Sequence, residues 1–139
     1  METTMTSSTA ATDADRQRVI ERYFIALGAK EWDELVGSLA EDSVTEWPQS
    51  GEVIRGRDGC LNVYRNYPGG SPALTLRRLT GTGDLWIAEA DISYGDHPMQ
   101  TVSIFEFRDG LISRQVDYFA EPFEPPAWRS QWVESPDKG

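Results

Sequence analysis

Apolar residues Val19, Ile20, Tyr23, Phe24 and Leu27 recur at spacings of three and four. That period places them on one face of a helix, which the sequence predicts to start from a cap at Asp13 or Asp15 and to stop at Gly28. Trp32, Leu35, Val36 and Leu39 predict a second, short helix with one apolar side. The run from Ser43 to Trp47 reads as a strand ended by Pro48, and the turn at Gln49, Ser50 and Gly51 leads into an extended piece from Glu52 to Arg55. Cys60, Leu61, Tyr64 and Tyr67 mark a third helix, closed by Pro68, Gly69 and Gly70.

Beyond Pro72 the period changes from helix to strand. Leu74 to Thr80, Leu85 to Tyr94, Gln100 to Arg108 and Leu111 to Phe119 are β-rich runs separated by Gly and Asp turns. The pair Asp109-Gly110 is a strong hairpin signal between the last two. Helices followed by antiparallel strands make an α+β fold, three N-terminal helices packed on a curved, mostly antiparallel sheet. Residues 1–12, rich in Thr, Ser and Ala, are expected to form a disordered tail ahead of a domain at 13–122. Residues 123–139 are Pro-rich yet carry Trp128 and Trp132 beside Phe123, so they are expected to pack on the domain or on a dimer partner.

Composition narrows the chemistry. With 13 Lys and Arg against 23 Asp and Glu, the net charge is −10, which makes nucleic acid and anionic membrane surfaces poor partners. One cysteine excludes an internal disulfide framework, and one histidine excludes a multi-His metal site. No segment has the apolar length of a membrane span, and the first residues lack the pattern of a signal or transit peptide, so a cytoplasmic protein is expected. No cofactor is called for. Carboxylate and phenol chemistry remain.

Four segments carry a family resemblance: Arg22–Asp33 (RYFIALGAKEWD), Leu39–Pro48 (LAEDSVTEWP), Val53–Gly56 (VIRG) and Phe107–Phe119 (FRDGLISRQVDYF). In their order the chain resembles the SnoaL-like branch of the nuclear transport factor 2-like superfamily over about residues 15 to 120. The resemblance implies a cone-shaped α+β barrel with a pocket for a hydrophobic small molecule, and a homodimer formed through the convex sheet face. It implies no single activity, because the fold serves isomerases, cyclases, dehydratases, epoxide hydrolases and plain binding domains. Position by position, the oxyanion tyrosine of ketosteroid isomerases is matched by Tyr23. Trp47 stands where their general base stands, and Ser103 where their second oxyanion donor stands. The Asp-Tyr-Phe motif of limonene epoxide hydrolase is matched by Asp117, Tyr118 and Phe119, while its middle-strand partners align with Ala90 and Ile92, or with Asp91 after a shift of one residue. SnoaL-type cyclases also use an acidic base inside the barrel, which makes Asp117 the most portable catalytic candidate, with Tyr23 beside it.

Strand alternation is an independent guide. In Leu85 to Tyr94 the even positions Trp86, Ala88, Ala90, Ile92 and Tyr94 form the inward face, leaving Glu89 and Asp91 outside. The expected ligand-binding wall comprises Trp47, Tyr64, Trp86, Ala90, Ile92, Ser103, Phe105 and Phe119. For Asp117 the hairpin register decides. A two-residue Asp109-Gly110 turn pairs Ser103 with Val116 and turns Asp117 outward, whereas a three-residue loop with a bulge sets Ser103 near Gln115 and turns it inward. An inward Asp117 would lose hydration, and its pKa would rise. His97 belongs to the turn after Tyr94 and is expected to be exposed; Glu46 should point away from the cavity, and Cys60 reads as inert core.

Three functional readings compete: a cofactor-independent isomerase, cyclase or hydrolase; a non-catalytic carrier of a hydrophobic ligand; and a dimeric interaction module with a filled cone.

Overall fold

The structure is a computed structural model that describes residues 12–70 and 72–136. The expected tail at 1–12 therefore lies, but for Thr12, outside the described residues.

Helix α1 (Asp13–Ala29) is capped by Thr12 rather than by either aspartate. The Thr12 hydroxyl accepts the Asp15 N–H at 3.0 Å, and the Asp15 carboxylate accepts the Thr12 N–H at 3.0 Å. The acid three residues on completes this reciprocal pair, which satisfies donors that the first helical turn leaves open. The helix buries Ile20, Tyr23, Phe24, Ala26 and Leu27, the face its period announced.

Helix α2 (Trp32–Gly37) is shorter than expected, and Leu39 is not on it. Leu39 opens strand β1 (Leu39–Trp47), four residues earlier than the sequence pattern suggested. Gly37 is a poor helix former, and Leu39 gains a partner across the sheet in Ile112. Strand β2 (Glu52–Arg55) and helix α3 (Arg57–Arg65) follow, with Tyr67 falling beyond the helix.

Strands β3 (Ala73–Thr82), β4 (Leu85–Tyr94), β5 (His97–Arg108) and β6 (Leu111–Ala120) form the expected antiparallel meander. The full sheet has the order β2-β1-β6-β5-β4-β3 and is open, with β2 and β3 at its edges. Its one parallel pair joins β1 to β6, with Thr45 opposite Gln115 and Glu46 opposite Val116. That pairing brings the first and last strands of the domain side by side, one strand in from the β2 edge. Register breaks in β1/β6, β3/β4 and β5/β6 mark where the sheet bends. A tight approach at the β3–β4 turn needs Gly81, where a Cβ would stand 2.5 Å from both the Leu85 carbonyl oxygen and the Trp86 ring.

The β5–β6 hairpin follows neither register expected from the sequence. Its turn has two residues, with Arg108 opposite Leu111 and with Asp109 and Gly110 both at positive φ (54° and 81°). One extra residue, Ser113, then bulges out of β6, so the pairing moves from Phe107–Ile112 to Glu106–Arg114. Ser103 consequently faces Asp117, not Val116 or Gln115. Both Ile112 and Asp117 are buried on the concave side.

Ile20, Tyr23, Leu35, Leu39, Trp86, Ala88, Ala90, Phe105, Phe107 and Ile112 belong to the core that fills the narrow end of the cone. The C-terminal segment, with a short 3-10 helix at Ala127–Trp132, does not bury its rings on its own domain: Phe123, Trp128 and Trp132 are 79%, 73% and 72% exposed. Among the described residues no helix is long and apolar enough to cross a membrane.

Candidate functional site

The wide end of the cone encloses a cavity of about 570 Å³ between α1, α3 and the concave sheet face. Aromatic and aliphatic side chains dominate its wall, among them Phe24, Leu27, Tyr64, Leu74, Ile92 and Phe119. Tyr23, Ser103, Gln115 and Asp117 form a buried polar patch. Gln49, Ser50, Glu52, His97 and Glu121 line the cavity yet are exposed or half-exposed, which places them at the mouth.

Seven of the expected residues line this space: Tyr23, Trp47, Tyr64, Ile92, Ser103, Asp117 and Phe119. Trp86, Ala90 and Phe105 do not. They lie deeper, in the core, where Phe105 packs edge-on against Tyr23 at 5.7 Å and Phe24 at 6.1 Å. The reason is geometric, since Trp86 pairs with Phe105 at the β3–β4 turn end of β4, where Phe105 meets α1 and closes the space. His97 is the first residue of β5 and is exposed at the cavity mouth, 3.4 Å from Glu121. Glu46 points to the opposite face, where Arg114 holds it through two contacts of 3.0 and 3.1 Å.

Asp117 is 5% exposed and accepts hydrogen bonds from three side chains on three strands. Ser103 Oγ donates to Oδ1 at 2.7 Å, and the Trp47 indole N–H donates to Oδ2 at 2.9 Å. Gln115 Nε2 reaches both oxygens, at 2.9 and 3.1 Å. Burial pushes the Asp117 carboxyl above the usual carboxylate range, while the three donors pull against that shift by favouring the anion. Among the described residues no group of acids, His and Cys is arranged to hold a metal ion.

The sequence placed Tyr23 beside Asp117, without fixing whether the two touch. The Gln115 amide stands between them, donating from Nε2 to the Tyr23 oxygen at 3.0 Å. The Tyr23 and Tyr64 hydroxyls lie 2.6 Å apart. Burial raises both phenols well above their ordinary pKa, with Cys60 and Asp117 adding to the effect, so both stay protonated. The shared contact takes one of the two hydroxyl protons; the other is left for the Cys60 thiol, a weak acceptor beside Tyr64, or for a ligand oxygen that displaces it. Gln115 was missed from the sequence. The signal was present, because strand alternation that turns Asp117 inward turns Gln115 inward as well.

Chemically, the patch places a buried carboxylate and a phenolic donor in one wall of an apolar cavity. Trp47 supports that carboxylate from β1 through its indole N–H, while Gln115, two residues before Asp117 on β6, supports it from the same strand.

Comparison with known proteins gives a consistent picture. A nuclear transport factor 2-like protein of unknown function from Burkholderia xenovorans LB400 is 36% identical, with a TM-score of 0.82 over 92% of this chain and 100% of that one. A candidate ketosteroid isomerase from Kribbella flavida DSM 17836 is 35% identical, with a TM-score of 0.84 over 93% and 96%. An LEH-like epoxide hydrolase of M. tuberculosis is 25% identical, with a TM-score of 0.65 over 76% and 83%. None of the curated proteins compared with the chain matches it. The family model for the SnoaL-like domain matches residues 20–115, from the buried face of α1 to the glutamine beside Asp117. With that match and two solved relatives above one-third identity, the chain belongs to the SnoaL-like domain family and has its nuclear transport factor 2-like fold.

Proposed function

We propose that the chain is a cofactor-independent proton-transfer enzyme of the isomerase or cyclase class, acting on an apolar carbonyl compound. The observation that carries this reading is the carboxylate of Asp117, buried in the wall of an open cavity and linked through Gln115 to a protonated phenol pair. In this mechanism Asp117 removes a proton from carbon next to the carbonyl, and the Tyr23–Tyr64 pair donates a hydrogen bond to the oxygen where charge develops. The proton then returns to another carbon of the same molecule, so nothing is consumed. A desolvated carboxylate with a raised pKa suits the base role, since its proton affinity approaches that of the task. The Kribbella flavida relative supports the isomerase branch.

The test is solvent exchange. A set of apolar cyclic ketones incubated with the protein in D2O should gain deuterium beside the carbonyl, followed by NMR, and Asp117→Asn should stop it. Exchange that persists in Asp117→Asn, or none with the wild type, overturns the proposal. One observation favours the carrier reading instead: three donors already satisfy Asp117. Binding of apolar ketones without exchange would select it.

We also propose that the chain forms a homodimer through its convex sheet face, where Ile87, Val102 and Tyr118 are exposed. Val102 and Tyr118 stand opposite each other across β5 and β6, so the apolar surface is continuous. Analytical ultracentrifugation should give a dimer mass that Val102→Glu halves; a monomeric wild type refutes this.

A further inference from the structure

The cavity mouth differs in kind from its floor. Glu52 and Glu121 line it, and Asp117 lies below, so the lining carries three carboxylates. No Lys or Arg lines the cavity among the described residues, and its one histidine, His97, already faces Glu121 at 3.4 Å. Among the described residues Glu52 has the Ser50 hydroxyl as its partner, which donates to it at 2.6 Å. At the mouth the Tyr67 and Tyr94 rings stack with centroids 4.5 Å apart and an interplanar angle of 20°, and Tyr94 pairs with His97 across β4 and β5. Both rings line the cavity, and both are partly exposed.

We propose that this mouth selects a ligand whose outer end is a protonated amine and whose body is apolar. The proposal rests on the proton-transfer reading only for the identity of the site and refines its substrate class to an amine-bearing carbonyl compound. Three physical terms point the same way. An ammonium at the rim meets two carboxylates in a region where a low-dielectric wall on one side weakens screening. Aromatic faces carry negative potential and attract cations within about 6 Å of the ring centre. An anionic ligand would meet the same carboxylates as repulsion, on a chain whose net charge is already −10. The apolar body fills the aromatic and aliphatic wall, and its far end reaches Tyr23 and Asp117. Charge at the mouth thus orients the molecule, amine outward and reacting carbon inward.

The experiment uses one skeleton with three charges: 4-phenylbutylamine, 4-phenyl-1-butanol and 4-phenylbutyrate, titrated into the full chain and followed by 1H–15N NMR. Binding needs no turnover, so the result is independent of whether Asp117 is catalytic. The amine should bind about tenfold tighter than the alcohol at low salt, and the carboxylate weakest, as expected for a cation–π contact combined with two partly screened charges. Adding salt to about 0.5 M should shrink that preference. Glu52→Gln combined with Glu121→Gln should reduce it to about two- to threefold, with the alcohol unaffected, because only the charge terms are removed. Equal affinity for amine and alcohol overturns the proposal, and so does a preference that the double substitution leaves undiminished. Deuterium exchange into neutral ketones that fails while the amine preference holds would remove the proton-transfer reading and leave this one standing.

Discussion

Ser103→Ala isolates what holds a carboxylate inside an apolar cone. The substitution deletes one donor, 2.7 Å from Asp117 Oδ1, and changes little else, because Ser103 is small and buried. A hydrogen bond to a charged group contributes about 1.5–3 kcal/mol, against about 0.5–1.5 kcal/mol to a neutral one. The cost of the substitution should therefore depend on whether Asp117 is ionised. Burial already raises its pKa, and loss of a donor that favours the anion raises it further. Urea unfolding of wild type and variant across about pH 4 to 8 should show a loss of about 1 kcal/mol at the acid end and about 2–3 kcal/mol once the carboxylate is charged. Titration of other carboxylates cancels in the difference. Repeated in an Asp117→Asn background, the same substitution should cost the same at every pH. A loss independent of pH in the wild-type background, or one larger in acid, would refute the assignment of Ser103 as a partner of the ionised carboxylate.

The remaining expectations concern the same network and its scaffold. A raised folded pKa means that the native chain binds the Asp117 proton more tightly than the unfolded chain does. Stability from this group is complete below the unfolded carboxylate pKa near 4 and is lost as pH rises through the folded value, by about 1.4 kcal/mol per pH unit between them. The wild-type minus Asp117→Asn difference in unfolding free energy should fall across that window and then level off; a flat difference counts against a raised pKa. Trp47→Phe keeps an aromatic ring near Phe119, whose centroid is 5.9 Å away, but removes the 2.9 Å indole donor. It should cost about 1.5–3 kcal/mol at pH 7 by urea unfolding, and under about 0.5 kcal/mol would show that the bond contributes nothing. Gly81→Ala forces a methyl group against the Leu85 carbonyl and the Trp86 ring, and should lower stability by about 1–3 kcal/mol in the same assay, unlike an alanine at open Gly37.

Period and alternation carried most of the architecture into the sequence. The buried face of α1 and the inward row Trp86, Ala88, Ala90, Ile92 were legible because each depends only on spacing within one element. What was not legible depends on two elements at once. Leu39 fits the apolar side of a helix by spacing, and only Ile112 on a strand some seventy residues later makes it a strand residue. The same holds for Asp117, whose face is set by how β6 accommodates Ser113 against β5, a choice that no local propensity encodes. Gln115 lay hidden because an amide in a strand looks like a surface residue until its neighbour's burial is known. The cavity floor was overestimated for a related reason: alternation tells which way Trp86, Ala90 and Phe105 point, but not that the cone has already narrowed where they stand.

The bulge at Ser113 has a consequence for how strands of this family can change length. Ser103 and Asp117 stand opposite each other with one surplus residue between them and the turn. Loss of Ser113 itself would leave a regular ladder from Arg108–Leu111 onward, with Ser103 and Asp117 still partners and still on the concave side. Loss of Val116 in its place would put Asp117 out of phase with Gln115 and carry one of them to the outer surface. Between the turn and Arg114, then, β6 has a seam where a descendant can shed a residue, flattening the bend but keeping its chemistry; beyond Arg114 a change of one residue divides the polar patch between two faces.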